Sequence, residues 1–181
     1  MKKLKTLIAV LAIFTISIIA NAQETNQIPS YRHQGYMGNV SISDLHFYFI
    51  GLDTSHGYMF NEHHYLGAGV EACISVPVME DLWVFMVEPF VEYKAFFLKR
   101  KSTPTASMRA GYAYGNTYIT DPELSFLSFA FDGHELALTP SLGWDWGMKN
   151  GKGLNLSVGA LIMTDFKTIF ATPKISFGFN F

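Results

Sequence analysis

Apolar and polar residues alternate one by one through most of this chain, most clearly in its last stretch. Ala171, Pro173, Ile175, Phe177, Phe179 and Phe181 interleave with Thr172, Lys174, Ser176, Gly178 and Asn180. Successive side chains of a strand point to opposite faces, so this segment has one apolar face and one polar or small face. Leu154, Leu156, Val158, Ala160 and Ile162 repeat the alternation against Asn155, Ser157 and Gly159. Leu136, Leu138, Pro140, Leu142, Trp144 and Trp146 form another apolar face, and so do Ala106, Met108, Ala110, Tyr112 and Tyr114. Trp83, Phe85, Val87, Val91, Tyr93, Ala95 and Phe97 share a face of one long strand, opposite Glu88, Glu92 and Lys94. Leu66, Ala68, Val70 and Ala72 alternate with Gly67, Gly69, Glu71 and Cys73. Two weaker strands precede these, at about 36–44 and 47–60. No stretch carries a helical period.

Eight strands result, all antiparallel neighbours. An even count in an up-and-down barrel leaves both ends on one side. The connections differ in kind. Asn61-Glu62-His63-His64, the basic segment from Lys99 to Pro104, and Met148 to Gly153 are short turns. The last contains Asn-Gly, a strong hairpin signal. They follow strands two, four and six, on the side of both termini. The opposite connections fall at about 44–47, 75–82, 115–133 and 165–170; the third carries Asp121, Glu123, Asp132 and Glu135 at or beside it. Short turns on one side and longer loops on the other is the arrangement of outer-membrane barrels.

Alternation does not say which face meets the solvent. A soluble lipocalin-like barrel also alternates, with its apolar face inward. Three features favour apolar-out. Asp53, Glu71, Glu92, Lys94, Arg109, Asp145 and Lys174 all fall on the polar face. In an eight-stranded barrel the lumen is just wide enough for side chains to fill it, and four acids with three bases can neutralise one another there. Tyr58, Phe60, Phe97, Trp144, Trp146, Phe179 and Phe181 share a level near the short-turn ends, as an interfacial girdle does. The chain stops at Phe181, inside an alternating strand. A final strand ending in Phe resembles the signal read by the outer-membrane barrel-insertion machinery, which is expected as a partner along with outer-membrane lipid.

Composition agrees with this picture. Charged residues make up 15% of the chain, against about 25% in an ordinary soluble domain. Lys2, Lys3 and Lys5 precede an apolar stretch from Leu7 to Ala20 and an Ala20-Asn21-Ala22 site. That is the form of a secretory signal peptide, with cleavage near Ala22. The stretch is shorter than the roughly 20 residues of a spanning helix. Three domains of organisation follow: a signal at 1–22, a polar lead-in at 23–35, and the barrel at 36–181. Without the three lysines, 10 bases face 15 acids, giving a mature charge of −5, so nucleic acid is not an expected partner. The single Cys73 makes no internal disulfide.

Several segments carry a family resemblance. Gly35-Tyr36-Met37-Gly38, Ser55-His56-Gly57-Tyr58-Met59-Phe60-Asn61 and Leu66-Gly67-Ala68-Gly69-Val70 resemble the small bacterial outer-membrane protein β-barrel domain family. Arg109-Ala110-Gly111-Tyr112, Pro140-Ser141-Leu142-Gly143-Trp144 and Leu154-Asn155-Leu156-Ser157-Val158-Gly159 fit it too. The resemblance covers most of 35–181 and is similar in size to the OmpA and OmpX type of eight-stranded barrel. It implies an all-β transmembrane barrel in the outer membrane of a Gram-negative envelope, and brings no catalytic residue with it. The segment around 115–133 departs from a minimal barrel.

No catalytic, cofactor or metal site is expected. Ser55 and His56 are adjacent and point to opposite faces. Thr54 and His56 share a face, but Thr needs a further partner for nucleophilic chemistry. His63-His64 lie in a turn, and His33, His46 and His134 are isolated, without metal-ligand spacing. Eight strands leave a packed interior, not a wide aqueous pore. The reading is a non-enzymatic barrel, structural or surface-interactive, with a charged lumen. Loops 75–82 and 115–133, with Trp83, Phe126, Phe129 and Phe131, are the candidate surface elements. Two alternatives stand beside it: a soluble exported barrel holding an apolar ligand, and a lipid A-modifying outer-membrane enzyme.

Overall fold

A computed structural model describes residues 31–45, 49–75, 82–119, 133–148 and 151–181. The signal segment and its cleavage site, His46 and most of the two candidate loops lie outside the described residues. The strands are β1 (Gly35–Leu45), β2 (Phe49–Asn61), β3 (His64–Ser75), β4 (Leu82–Phe96), β5 (Ser102–Ile119), β6 (Gly133–Gly147), β7 (Gly153–Thr164) and β8 (Ile169–Asn180). Each pairs antiparallel with its neighbours in sequence, and β1 pairs with β8 from Asn39↔Asn180 to Leu45↔Lys174, closing the barrel. The amide and carbonyl of Gly38 continue that seam to Phe181 at 2.8 and 2.9 Å. Closure leaves no strand edge in the wall, which a hydrocarbon environment demands of a β structure.

The orientation of the wall is settled by exposure. Leu142, Val158 and Phe177 are 64%, 55% and 53% exposed, whereas Glu92 and Lys174 are 1% and 3% exposed. A soluble barrel with an apolar interior would show the reverse. An apolar surface that runs around the whole wall is incompatible with water and matches lipid. The fold is therefore an eight-stranded antiparallel transmembrane β-barrel.

Two boundaries differ from the sequence expectation. Residues 115–119, read as loop, continue β5, which reaches 18 residues. The extension is held by β4, through Leu82↔Ile119, Trp83↔Tyr118, Val84↔Thr117 and Phe85↔Asn116. Trp83 and Tyr118, both exposed, are a cross-strand aromatic pair of the kind that stabilises such a ladder. The polar lead-in also contributes to the barrel, because Arg32 is buried.

The lumen is stratified, which alternation did not reveal. Toward the long-loop end, Phe49, Cys73, Val84, Met86, Ala113, Ala137, Leu161 and Met163 form an inward apolar cluster. Toward the short-turn end, Met37, Met59, Tyr65 and Phe96 form a second. The charges lie between them. Glycines make room for this layer. A Cβ on Gly51 would come within 2.6 Å of Glu71 Oε1, and one on Gly69 within 2.6 Å of the Phe90 ring.

The β7–β8 connection is locked by Asp165. Its carboxylate accepts the Thr168 and Lys167 amides at 2.7 and 2.9 Å and the Thr168 hydroxyl at 2.8 Å. Those hydrogen bonds, the Thr168 amide foremost, hold the Asp165 carboxyl down at about 2. A depressed pKa of this kind stabilises the turn above the ordinary carboxylate range, and the contribution disappears as pH falls through about 2.

A charge on the wall tests the orientation. Val158→Arg, halfway along β7, is expected to cost about 2–4 kcal/mol in a bilayer. Denaturant unfolding in phospholipid vesicles measures it, with Ser157→Ala, on the other face, as a mild reference. Equal stability of the wild type and Val158→Arg would mean that this wall does not touch hydrocarbon.

Candidate functional site: the lumenal charge layer

Six of the seven sequence-nominated charges meet in one cluster, built from β2, β3, β4, β5 and β8. Arg109 on β5 is its centre. Its Nη2 donates to Asp53 Oδ1 at 3.1 Å and its Nε to Glu92 Oε1 at 3.2 Å, while Nη1 lies 3.5 Å from Glu71 Oε2. The guanidinium also stacks 4.4 Å from the centre of the Phe90 ring. Lys174 on β8 pairs with Glu71. Lys94 is held more loosely, 3.6 Å from Glu92.

Hydroxyls complete the carboxylates. Ser41 donates to Asp53 at 2.5 Å and Ser43 to Glu71 at 2.6 Å. Ser55 reaches Glu92 at 3.4 Å and in turn accepts from Tyr65 at 3.3 Å. Buried carboxylates are tolerated only with such partners, because desolvation alone is costly. The strand register delivers them. Ser41 faces Asp53 across β1–β2, and Glu92 faces Arg109 across β4–β5.

Asp145, the seventh, stands apart. It pairs with Arg32 from the lead-in and accepts Asn180 Nδ2 at 2.5 Å. Asn180 Oδ1 accepts from Asn39 at 2.8 Å and from Asn155 at 3.1 Å. Arg32 also donates to the Arg100 carbonyl at 3.0 Å and lies 4.8 Å from the Phe96 ring centre. This amide and ion-pair belt crosses the short-turn mouth of the barrel.

Sequence reasoning missed two members of the lumen. Arg32 lies in a segment with no alternation, so nothing marked it as inward. Glu88 was seen to face inward but was left out of the network. It is 1% exposed, and among the described residues its carboxylate oxygens have no hydrogen-bond partner. Opposite the cluster, β5 to β8 contribute Ser107, Thr139, Ser141, Ser157 and Ser176 around a cavity of about 20 Å3. A space of that size suits a water molecule or two.

The nominated aromatics occupy the outer wall near the short turns. Tyr58, Phe60, Trp144, Trp146, Phe179 and Phe181 are exposed there, while Phe97 lies just beyond β4 and is half-buried. Tyr36 joins them, 64% exposed. A second level, which sequence reasoning did not single out, lies at the other rim, where Trp83, Tyr114 and Tyr118 are also exposed.

His56 is the polar exception on this wall. Tyr36 Oη lies 2.5 Å from its Nδ1, and Thr54 Oγ1 lies 3.2 Å from its Nε2. Thr54 also donates to the Asn39 carbonyl at 3.1 Å. Every polar atom of this chain of three side chains thus has a partner without water. His33 is exposed, and His134 sits against Tyr112 and Tyr114 with ring centres 5.6 and 4.9 Å away. Among the described residues, no group of three or more His, Cys, Asp or Glu is placed to hold a metal ion.

Removing the central cation tests the cluster. Arg109→Met leaves Asp53 and Glu92 buried without their main partner, and is expected to cost about 3–5 kcal/mol. Lys94→Met should cost clearly less, since among the described residues that ammonium's ion pair is the looser 3.6 Å approach to Glu92, beside a 6.0 Å approach to the Tyr65 ring. Denaturant midpoints of the folded protein in detergent or lipid compare them. Equal losses would refute the central position of Arg109.

No family model matches the chain, and no curated protein matches it. Solved structures do. The N-terminal β-barrel domain of Pseudomonas aeruginosa OprF is 13% identical, with a TM-score of 0.54, and the match covers 82% of this chain and 98% of that one. Neisserial surface protein A is 10% identical, with a TM-score of 0.52, over 81% and 94%. The outer membrane enzyme PagL is 9% identical, with a TM-score of 0.47, over 80% and 97%. A shared fold does not transfer an activity. The chain has the fold of the small eight-stranded outer-membrane barrels.

Proposed function

We propose that the chain is an integral protein of a Gram-negative outer membrane, without enzymatic activity, and structural or interactive in its role. The observation that carries this reading is the inside-out distribution of the barrel, with an apolar wall around a paired ionic layer. The two apolar lumenal clusters and the cavity of about 20 Å3 support a packed interior rather than an open pore. The termini and the short turns face the periplasm in this reading. The connections at 75–82 and after β5, within 115–133, are the elements we assign to a surface partner. β8, with Phe177, Phe179 and Phe181 outward, is the strand we assign to recognition by the insertion machinery.

Recovery in the outer-membrane fraction and a gel mobility that shifts on boiling are the expected results. Recovery of the mature chain as a soluble periplasmic monomer would sink the proposal and favour the soluble ligand-binding barrel.

A second reading has one specific observation behind it. Thr54, His56 and Tyr36 are arranged as a nucleophile, a base and an orienting group would be. The wall position suits a lipid substrate. Against it, the Thr54 hydroxyl is already committed to the Asn39 carbonyl. Deleting the gene is expected to leave the lipid A mass spectrum unchanged. A changed spectrum, rescued by wild type but not by His56→Ala, would establish the enzyme instead.

A further inference from the structure

The two sets of connections between the strands are opposite in charge along the sequence. The short turns, residues 62–63, 97–101 and 148–152, contain Lys99, Arg100, Lys101, Lys149 and Lys152 against the single acid Glu62. The connections at the other end, with the strand residues beside them, contain in sequence Asp44, Glu80, Asp81, Asp121, Glu123, Asp132, Glu135 and Asp165, against Lys167 alone. At the short-turn rim, Glu62 is taken by Lys99 at 2.7 Å. Arg100, Lys101 and Lys152 are exposed, and among the described residues none of them is ion-paired. Arg100 and Lys101 are held in place by their backbone, since the Arg100 carbonyl accepts Arg32 and the Lys101 carbonyl accepts the Gly147 amide at 2.6 Å.

A second feature lies beside this basic turn, on the outer wall. His64 opens β3 in register with Ala95, next to Tyr93 on β4. Tyr93 Oη lies 2.7 Å from His64 Nδ1, and the rings stack with centres 6.0 Å apart. Either group can donate across this contact; with the phenol donating to Nδ1, the imidazole proton sits on Nε2. In that tautomer, and equally when the ring is protonated, His64 offers an N–H donor on the exposed, lipid-side face. Trp144 and Trp146 stand on the same girdle, and amphipathic rings of this kind mark the headgroup level.

We infer that the short-turn rim is a binding surface for anionic phospholipid headgroups of the inner leaflet, with Arg100 and Lys101 supplying the charge and His64 a directed donor to the phosphate. This rests on the membrane orientation proposed above. The cations continue the girdle, and the donor lies on the wall itself, so the site faces a lipid headgroup beside the barrel. A cell-wall polymer below it would meet the turn but not His64.

Brominated lipids test the site. The chain has three tryptophans. Trp83→Phe leaves Trp144 and Trp146 as reporters of this rim. The double variant Trp144→Phe, Trp146→Phe leaves Trp83, at the opposite rim, as the control. The folded proteins are placed in phosphatidylcholine vesicles that contain equal fractions of either brominated phosphatidylglycerol or brominated phosphatidylcholine. Phosphatidylglycerol is expected to quench Trp144 and Trp146 preferentially at low salt, with a several-fold higher apparent affinity. Each cation near a membrane surface is worth up to about fivefold. Trp83 should show no preference. The triple variant Lys99→Gln, Arg100→Gln, Lys101→Gln should abolish the preference, and His64→Phe should weaken it, both with the heat-modifiable mobility retained.

Equal quenching of Trp144 and Trp146 by the two lipids would overturn the inference and leave the membrane reading intact. So would a preference that persists in the triple variant. Equal quenching together with binding to purified peptidoglycan sacculi through the same three residues would reassign the rim to the cell wall. Quenching of no tryptophan by either lipid would defeat the membrane reading, and this inference with it.

Discussion

Arg109 touches three of the lumenal acids, Asp53, Glu71 and Glu92, and the rest of the barrel is organised around satisfying them. With hydrocarbon outside, ionised side chains on the wall are excluded, so they collect in the lumen. There they must be neutralised at short range. Guanidinium is suited to that position because it stays charged, presents five donors and stacks on an aromatic face. Phe90 supplies the face, and the serines of β1 and β2 supply the hydrogen bonds that one cation leaves unmade. The pairing joins strands distant in sequence: Arg109 and Asp53 are 56 residues apart, and Lys174 and Glu71 are 103 apart. Such contacts hold the cross-section of the barrel together in a way that neighbouring-strand ladders cannot.

The two apolar lumenal layers make that layer effective. A low-dielectric surrounding strengthens paired charges and penalises unpaired ones. Phe49, Leu161 and Met163 lie above the cluster, and Met59, Tyr65 and Phe96 lie below it on the β1–β4 side. On the other side the mouth is closed by polar groups, Asp145 with Arg32 and the three asparagines. The lumen is thus a graded stack, apolar, ionic, then mixed.

The eight strands were legible because the two environments of a barrel wall differ at every residue step. In β8 each change from Phe to Ser, Gly or Asn states a face. The pattern fails where both faces are apolar. Leu161, Ile162 and Met163 follow one another in β7; the alternation from Leu154 sets Ile162 outward, but three apolar residues in a row do not show that the first and third build an apolar layer inside. Alternation also assigns a charge to a face without saying which face-mates touch. Asp145 shares the inward face with Arg109, yet it binds Arg32, a residue in a segment with no period to read. The His56 arrangement needed the register of β1 against β2, which places Gly38 opposite His56 and so brings Tyr36 within reach. The end of β5 was lost because Gly115-Asn116 looks like a turn, while its partner residues on β4 sit in another part of the sequence.

The wall is lopsided in height. A β-strand crosses the hydrocarbon with about 9–11 tilted residues, and β5 has 18, beginning at the short-turn end. The surplus of about seven residues, at roughly 3.3 Å each along a tilted strand, lifts the top of β5 some 15–20 Å clear of the bilayer core. The chain between Ile119 and Gly133 therefore departs from a raised lip on one flank, while β1 and β8 stop low on the other. Any molecule approaching the membrane from that side would meet the raised flank first, beyond the level of the lipid headgroups.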